Sequence, residues 1–354
     1  LVRSRGLGDV YKRQRKRCEC EVLGYTGKPD SYYRAIINWV KQRYDLDVTK
    51  EMINFVPGIV PGIGMAMNSF TRPGDKVMIQ PPVYHPFAWV TTRNERTLVT
   101  NPLKWENGMY RMDLDAFREQ VKGCKLFILC NPHNPGGVVW TEDELRTVAE
   151  ICYEEKVLVF SDEIHADLTL PPYKHRPFAT ISEKAKMNSV TFMSPSKAFN
   201  MPGLAASHAI IFNEDLRARF RKFMDAGELD MGHVFAFLSV EAAYTHGTEW
   251  LDQCLAYIQG NIDYVDNFLK THAPRIKAIR PQASYLVWLD CRELGLNQEA
   301  LNDFFADKAH LALNDGAMFG KEGTGYMRLN VASPRSVIEQ AMKQLAEAYQ
   351  AMSF

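Results

Sequence analysis

Residues 191–212, TFMSPSKAFNMPGLAASHAIIF, place Lys197 in a turn between two apolar runs that both read as buried strands. Lysine is seldom buried without a partner, and partial desolvation lowers its pKa and makes it a nucleophilic amine. Two other apolar runs end in polar groups. LCNPHNPGG, residues 129–137, places Asn131 and Asn134 after KLFIL, and VFSDEIHADL, residues 159–168, places Asp162 after VLVF. An amine, a carboxylate and amides would then stand at the C-terminal ends of neighbouring strands, where ligands of open α/β sheets bind. Taken singly, each motif has a plainer reading: Asn-Pro segments make turns, and an Asp at a strand end caps helices. Their order and common placement favour a site.

The elements that must position these groups can be read from periodicity. KVMIQ, KLFILC, VLVFSD and SVTFMS read as strands, and TEDELRTVAEICYEE reads as a helix between two of them, with Thr141 and Glu144 in capping-box spacing. DSYYRAIINWVKQRY has helical spacing, with Asp30 or Ser31 as N-cap. INFVPGIVPGIGMAMNSF begins apolar, breaks at two Pro-Gly pairs and then reads as a helix. Buried strands alternating with helices predict an α/β domain with a mostly parallel sheet. From about residue 235 a long stretch reads as helix throughout, across a glycine at Gly247, and the rest reads as a smaller α+β unit. The expected division is a large domain over 15–245 and a small C-terminal domain over 246–354. Residues 1–14 are expected to be a cloning or assembly scar or a disordered basic arm.

The 354 residues are enough for two domains. Lys+Arg and Asp+Glu are both 42, so the charge balance gives no support to a nucleic-acid partner. No window approaches the ~20 apolar residues of a membrane span. The seven cysteines form no CxxC pair and no Cys/His metal spacing, which points to a reduced cytoplasmic protein and to no metal.

The motifs NPxNPxG, SDEIH, SxSKxFNxxGL and RLNxAxPR, in that order, resemble those of the fold-type I pyridoxal-phosphate enzymes, the class I/II aminotransferase superfamily. QPPVYHPF, CNPHNPGGVVWT, DEIHADL and SKAFNMPGL resemble its cystathionine β-lyase branch of carbon–sulfur lyases. The resemblance runs from about residue 16 to the end. It implies a large domain with a mostly parallel mixed sheet flanked by helices, a smaller α+β domain, and pyridoxal 5′-phosphate as cofactor.

Carried over residue by residue, the resemblance implies that Lys197 is the amine for the cofactor's aldehyde and the base at the substrate's Cα. Asp162 would keep the pyridine nitrogen protonated, and Asn134 would donate to the ring's phenolate oxygen. Tyr84 would stack on the ring. Ser194, Ser196 and the segment around Gly62 would hold the phosphate. Arg328 would bind the substrate carboxylate, and His165 would be a partner of the pyridine site or a packed histidine. Tyr25 resembles a tyrosine that reaches the neighbouring subunit's phosphate, which implies a homodimer with shared sites. His133 and the pair Gly136 and Gly137 are expected to be structural.

Two departures from the family pattern stand out. Ala205 occupies a position, eight after the lysine, where many members carry a phosphate-binding arginine. A further N-terminal stretch that lines the substrate side in the family is also expected to be missing. The implied activity is β-elimination from cystathionine or a related cysteine S-conjugate, giving a thiol, pyruvate and ammonia. An aminotransferase, and a truncated, weakly active or non-catalytic cofactor-binding protein, are the alternatives.

Overall fold

The computed structural model describes residues 7–352. The larger sheet and the hairpin beside it are built, in chain order, from β1 (Ile53–Val56), β2 (Lys76–Ile79), β3 (Thr97–Thr100), the hairpin β4 (Lys104–Glu106) and β5 (Met109–Arg111), β6 (Cys124–Cys130), β7 (Leu158–Asp162), β8 (Ser189–Met193) and β9 (Ser207–Ile210). The seven strands of the sheet run in the order β1-β9-β8-β7-β6-β2-β3. Strands β3, β2, β6, β7 and β8 are mutually parallel, while β9 is antiparallel to both β8 and β1. Both faces are covered, so the central strands are apolar almost without alternation, as expected of a doubly covered parallel sheet. Phe127, Phe160 and Phe192 are fully buried on three successive strands.

The helices follow as α1 (Gly8–Cys18), α2 (Asp30–Tyr44), α3 (Ile59–Phe70), α4 (Pro86–Arg93), α5 (Leu114–Gln120), α6 (Glu142–Glu154), α7 (Glu183–Met187), α8 (Glu214–Ala226), α9 (Val234–His246) and α10 (Thr248–His272). A second, antiparallel sheet comprises β10 (Lys277–Ile279), β11 (Leu286–Asp290), β12 (Asn314–Asp315) and β13 (Tyr326–Asn330), with α11 (Gln298–Asp303) and α12 (Arg335–Gln350) alongside. No helix among the described residues is long and apolar enough to cross a membrane.

Several local expectations meet a different outcome. The helix at residue 30 has no side-chain cap: Asp30 accepts from Lys50 and Ser31 donates to Glu241, so both polar groups serve long-range contacts. The second Pro-Gly pair does not interrupt α3; Pro61 sits in its first turn, where a missing N–H costs no helical hydrogen bond. Gly247 does interrupt the long helical stretch. A Cβ there would fall 2.2 Å from the Ala243 carbonyl oxygen and 2.4 Å from the Phe199 ring. Residues 1–6 lie outside the described residues, but residues 8–14 are helical rather than disordered. They belong to α1, which packs on α9 through Val10, while Leu7 is buried beside it. The capping box at Thr141 and Glu144 is present as expected.

Gly137 does more than make a turn. Its φ is +67°, and a Cβ would stand 2.5 Å from Pro281 Cβ and 2.8 Å from Pro281 Cα. Its carbonyl accepts from the backbone N–H groups of Gln282 and Ala283, so it joins the loop after β6 to the second sheet unit. Gly137→Ala combines a left-handed alanine with an overpacked backbone contact. It is expected to cost about 3 kcal/mol in urea unfolding; a loss within error of zero would show that the two units can shift apart freely.

Candidate active site

Because β6, β7 and β8 are parallel, their C-terminal ends emerge at one edge of the sheet. Cys130 pairs with Asp162, and Asp162 with Phe192, so the three loops start level with one another. The antiparallel β9 begins at that edge with Ser207, opposite Val56 at the end of β1. The chain leaving β1 therefore reaches the same place before α3 starts. Here a cleft of about 430 Å³ opens between the two sheets. Of the residues expected from sequence, Lys197, Asp162, Asn134, Tyr84, Ser196, His165 and Arg328 all line it.

The loop carrying Lys197 is pinned on both sides. Ser194 Oγ donates to the Ala206 carbonyl at 2.7 Å and accepts from the Ser196 N–H at 3.1 Å. Ser194 therefore shapes the loop and does not line the cleft. The N–H groups of Phe199 and Met201 close turns onto Pro195 and Ser196. Phe199 anchors the far side of the turn in an aromatic cluster with Trp39, Tyr244 and Trp250. Lys197 itself is half-buried. Burial lowers its pKa, the positive charge of Arg328 lowers it further, and Asp162 opposes both.

Asp162 is 3% exposed. Burial raises its pKa to about 7, with the adjacent Glu163 charge acting in the same direction, against a hydrogen bond from the Ile164 N–H and the pull of Lys197. A carboxylate held this way favours a cationic partner. The neighbouring Glu163 turns away and accepts from Ser161 Oγ and the Phe178 N–H, with His175 Nε2 at 2.7 Å. It thereby fixes the turn that carries Asp162. His133 Nε2 lies 2.9 Å from the Pro82 carbonyl oxygen and ties the Asn-Pro loop to the segment bearing Tyr84.

Arg328 comes from the second sheet, where it lies between Trp288 and Asn314. Its Nη1 donates to Asn134 Oδ1 at 2.9 Å and its Nη2 to Asn314 Oδ1 at 2.7 Å, and the guanidinium covers the Phe319 ring at 4.6 Å. Its buried Nε has no acceptor among the described residues. His165 Nδ1 is likewise buried without a partner, and burial holds this ring neutral with a pKa of about 3. His133 and His208 are held near 3 for the same reason.

These three depressed values set a pH dependence. Each native ring stays neutral while the unfolded one protonates near 6.5, so their stabilising contribution is complete above 6.5 and is lost as the pH falls toward 3. His208 has no hydrogen-bond partner on either ring nitrogen among the described residues and does not line the cleft. His208→Leu is expected to flatten the fall of the urea midpoint between pH 6.5 and 4. An unchanged slope would assign the acid sensitivity to other groups.

Besides Ser194, two expected residues stand elsewhere. Gly62 packs against Val56, whose Cγ2 would be 2.8 Å from an added Cβ, and does not line the cleft. Gly58, Ile59, Val60 and Pro61 line it instead, at the N-terminus of α3. Tyr25 is 98% exposed on the irregular segment before α2 and does not line the cleft. Sequence reasoning passed over Ser207, Tyr285 and Asn330, all of which line the cleft. Ser207 carried a signal, since it opens the apolar run that returns beside the lysine, and Asn330 stands in the RLNxAxPR motif; Tyr285, from the second unit, carried none.

A family model described as "Aminotransferase class I and II" matches residues 15–345. The chain belongs to the class I and II aminotransferase family. It is 38% identical to cystathionine β-lyase PatB of Bacillus subtilis over 341 residues, which cover 96% of this chain and 88% of that one. A solved structure of cystalysin from Treponema denticola, which contains a pyridoxal 5′-phosphate cofactor, superposes with a TM-score of 0.96 at 34% identity. That match covers 99% of this chain and 89% of cystalysin. A carbon–sulfur lyase from Staphylococcus hominis, solved with pyridoxal phosphate in complex with L-cycloserine, superposes at 0.91 with 32% identity, covering 99% and 91% of the two chains. The expected fold is thereby met, with its mostly parallel mixed sheet flanked by helices.

The residues of this class I and II family member fit such a cofactor on their own chemistry. The start of α3 has free N–H groups in its first turn and suits a phosphate. The buried Asp162 suits a protonated ring nitrogen, and Lys197 suits an aldehyde. The unpartnered Arg328 Nε leaves a donor for a carboxylate. No group of three or more metal-ligating side chains occurs among the described residues.

Proposed function

We propose that this protein is a pyridoxal-phosphate-dependent carbon–sulfur β-lyase that cleaves cystathionine or a related cysteine S-conjugate to a thiol, pyruvate and ammonia. The observation that carries this is the convergence of Lys197, Asp162, Asn134 and Arg328 on one cleft in a chain whose similar relatives include named cystathionine β-lyases. Residues 58–61 would hold the phosphate, together with the hydroxyls of Ser196 and Ser207. Ala205, in place of an arginine, leaves the helix terminus as the main anion site. Asp162 would face the ring nitrogen, Tyr84 the ring, and Asn134 its oxygen. When bound, the cofactor supplies an electron sink for the pair left at the substrate's Cα.

The chain's own groups do the rest. Arg328 binds the substrate carboxylate, and its contact with Asn134 fixes the two relative to each other. Lys197, whose lowered pKa favours the free amine, takes the Cα proton on Nζ. The C–S bond at Cβ then breaks, the sulfur leaves as thiolate, and the released product hydrolyses to pyruvate and ammonia. Incubation of the reconstituted protein with cystathionine should release free thiol and pyruvate in equal amounts without any keto-acid acceptor. Turnover only in the presence of an acceptor would make it an aminotransferase instead.

The same proposal includes a homodimer. Val22, Leu23 and Tyr25 stand exposed on the arm before α2, an apolar surface that a second copy would cover, with Tyr25 reaching the neighbouring cleft. Light scattering should give twice the chain mass. A reducing cytoplasm suits seven cysteines that are all free thiols.

A further inference from the structure

A second cleft of about 380 Å³ lies against the other side of Lys197. One wall is a face of α10, with Trp250, Cys254, Tyr257 and Ile258; Ala332 and Pro334 face it from the loop after β13. Its polar side chains, including Asn200, Gln253 and Ser333, are neutral, and Lys197 is the single charged residue among those that line it. Lys197, Tyr285 and Asn330 line both clefts. A compartment carrying Asp162 and Arg328 therefore meets a neutral, largely apolar one at the reactive amine.

We propose that this second cleft receives the substituent on sulfur, and that it selects neutral apolar or aromatic substituents over the charged homocysteine half of cystathionine. The inference rests on the lyase reading above and narrows its substrate class. A cysteine S-conjugate has two unlike ends, a zwitterionic head and a tail beyond the sulfur. With the head carboxylate on Arg328 and the Cα proton at Lys197, the tail leaves the charged compartment beside the lysine. The homocysteine half would bring an ammonium and a carboxylate into a cleft with no countercharge beyond Lys197, which is already engaged. Burying charge without a partner is costly, whereas an aromatic tail gains contact with Trp250 and Tyr257.

The test compares S-benzylcysteine, S-methylcysteine and cystathionine on the holoenzyme, with thiol release as readout. S-Benzylcysteine is expected to exceed both others in kcat/KM by about tenfold or more, the scale on which apolar pockets discriminate. Ala332→Leu, which narrows the cleft, should lower kcat/KM for S-benzylcysteine by a similar factor and leave S-methylcysteine unchanged. Independently of turnover, phenylmethanethiol should quench protein fluorescence where homocysteine does not, and Trp250→Phe should remove that response. A preference for cystathionine, equal effects of Ala332→Leu on all three conjugates, or no binding of phenylmethanethiol would overturn the inference and leave the lyase reading standing. Thiol release from none of the three would overturn that reading, and this one with it.

Discussion

Lys197→Ala is expected to reduce thiol release by about four orders of magnitude, the upper end for loss of a positioned acid–base group. The lysine has two tasks in the proposed reaction, and no neighbour can take over either. Asp162, His165 and Arg328 also line the cleft, but none offers a free amine: the guanidinium stays protonated, and the imidazole, its pKa lowered by burial to about 3, is a weak base. The loop itself should survive the substitution, because its hydrogen bonds run through Ser194, Ser196 and backbone groups and leave the lysine side chain out. Borohydride reduction of the reconstituted parent, followed by peptide mass analysis, should place a covalent adduct on Lys197, and the variant should carry none. An adduct on another lysine would displace the whole site.

Asp162→Asn should separate chemistry from stability. Turnover is expected to fall by about three orders of magnitude, the range for loss of one preorganised electrostatic partner, since an amide cannot hold a proton on a ring nitrogen. Stability should move the other way in protein stripped of cofactor. The native carboxyl, raised to about 7, keeps a proton that the unfolded chain releases near 3.8. Its stabilising contribution is therefore complete below 3.8 and is lost as the pH rises through 7. The variant has no such loss and should be more stable than the parent at pH 8, by about 1.4 kcal/mol for each pKa unit of that displacement as an upper bound. Urea unfolding at pH 5 and pH 8 measures the difference. Near-normal turnover in Asp162→Asn would mean that the carboxylate does not face the cofactor.

The readings that held and those that moved differ in the range of the interactions behind them. The four strands and the Thr141 helix were legible because short apolar runs, a period-3.6 pattern and a capping box are local. The caps assigned to Asp30 and Ser31 failed because Lys50 and Glu241, distant in sequence, compete for those side chains. Gly62 was assigned to the phosphate from a Pro-Gly repeat. Helix α3 in fact begins one repeat earlier, which presents residues 58–61 to the cleft and turns Gly62 onto β1. Residues 1–14 read as a scar or a disordered basic arm, yet residues 8–14 dock on α9 through the buried Val10, the Gln14–Ser239 hydrogen bond and the Arg13–Glu241 ion pair.

By itself the sequence determined which chemical groups end the central strands. Alternating buried strands and helices force a parallel sheet, and a parallel sheet brings Asn134, Asp162 and Lys197 to one edge whatever the remaining details. Only the tertiary structure decided what faces that edge. Arg328 meets Asn134 across 194 residues, and Tyr285 and Asn330 join the lysine from the second unit. The neutral cleft along α10 likewise exists only where the two units close on each other. Such contacts depend on strand register and on how two packed layers meet, and no local pattern in the chain encodes either.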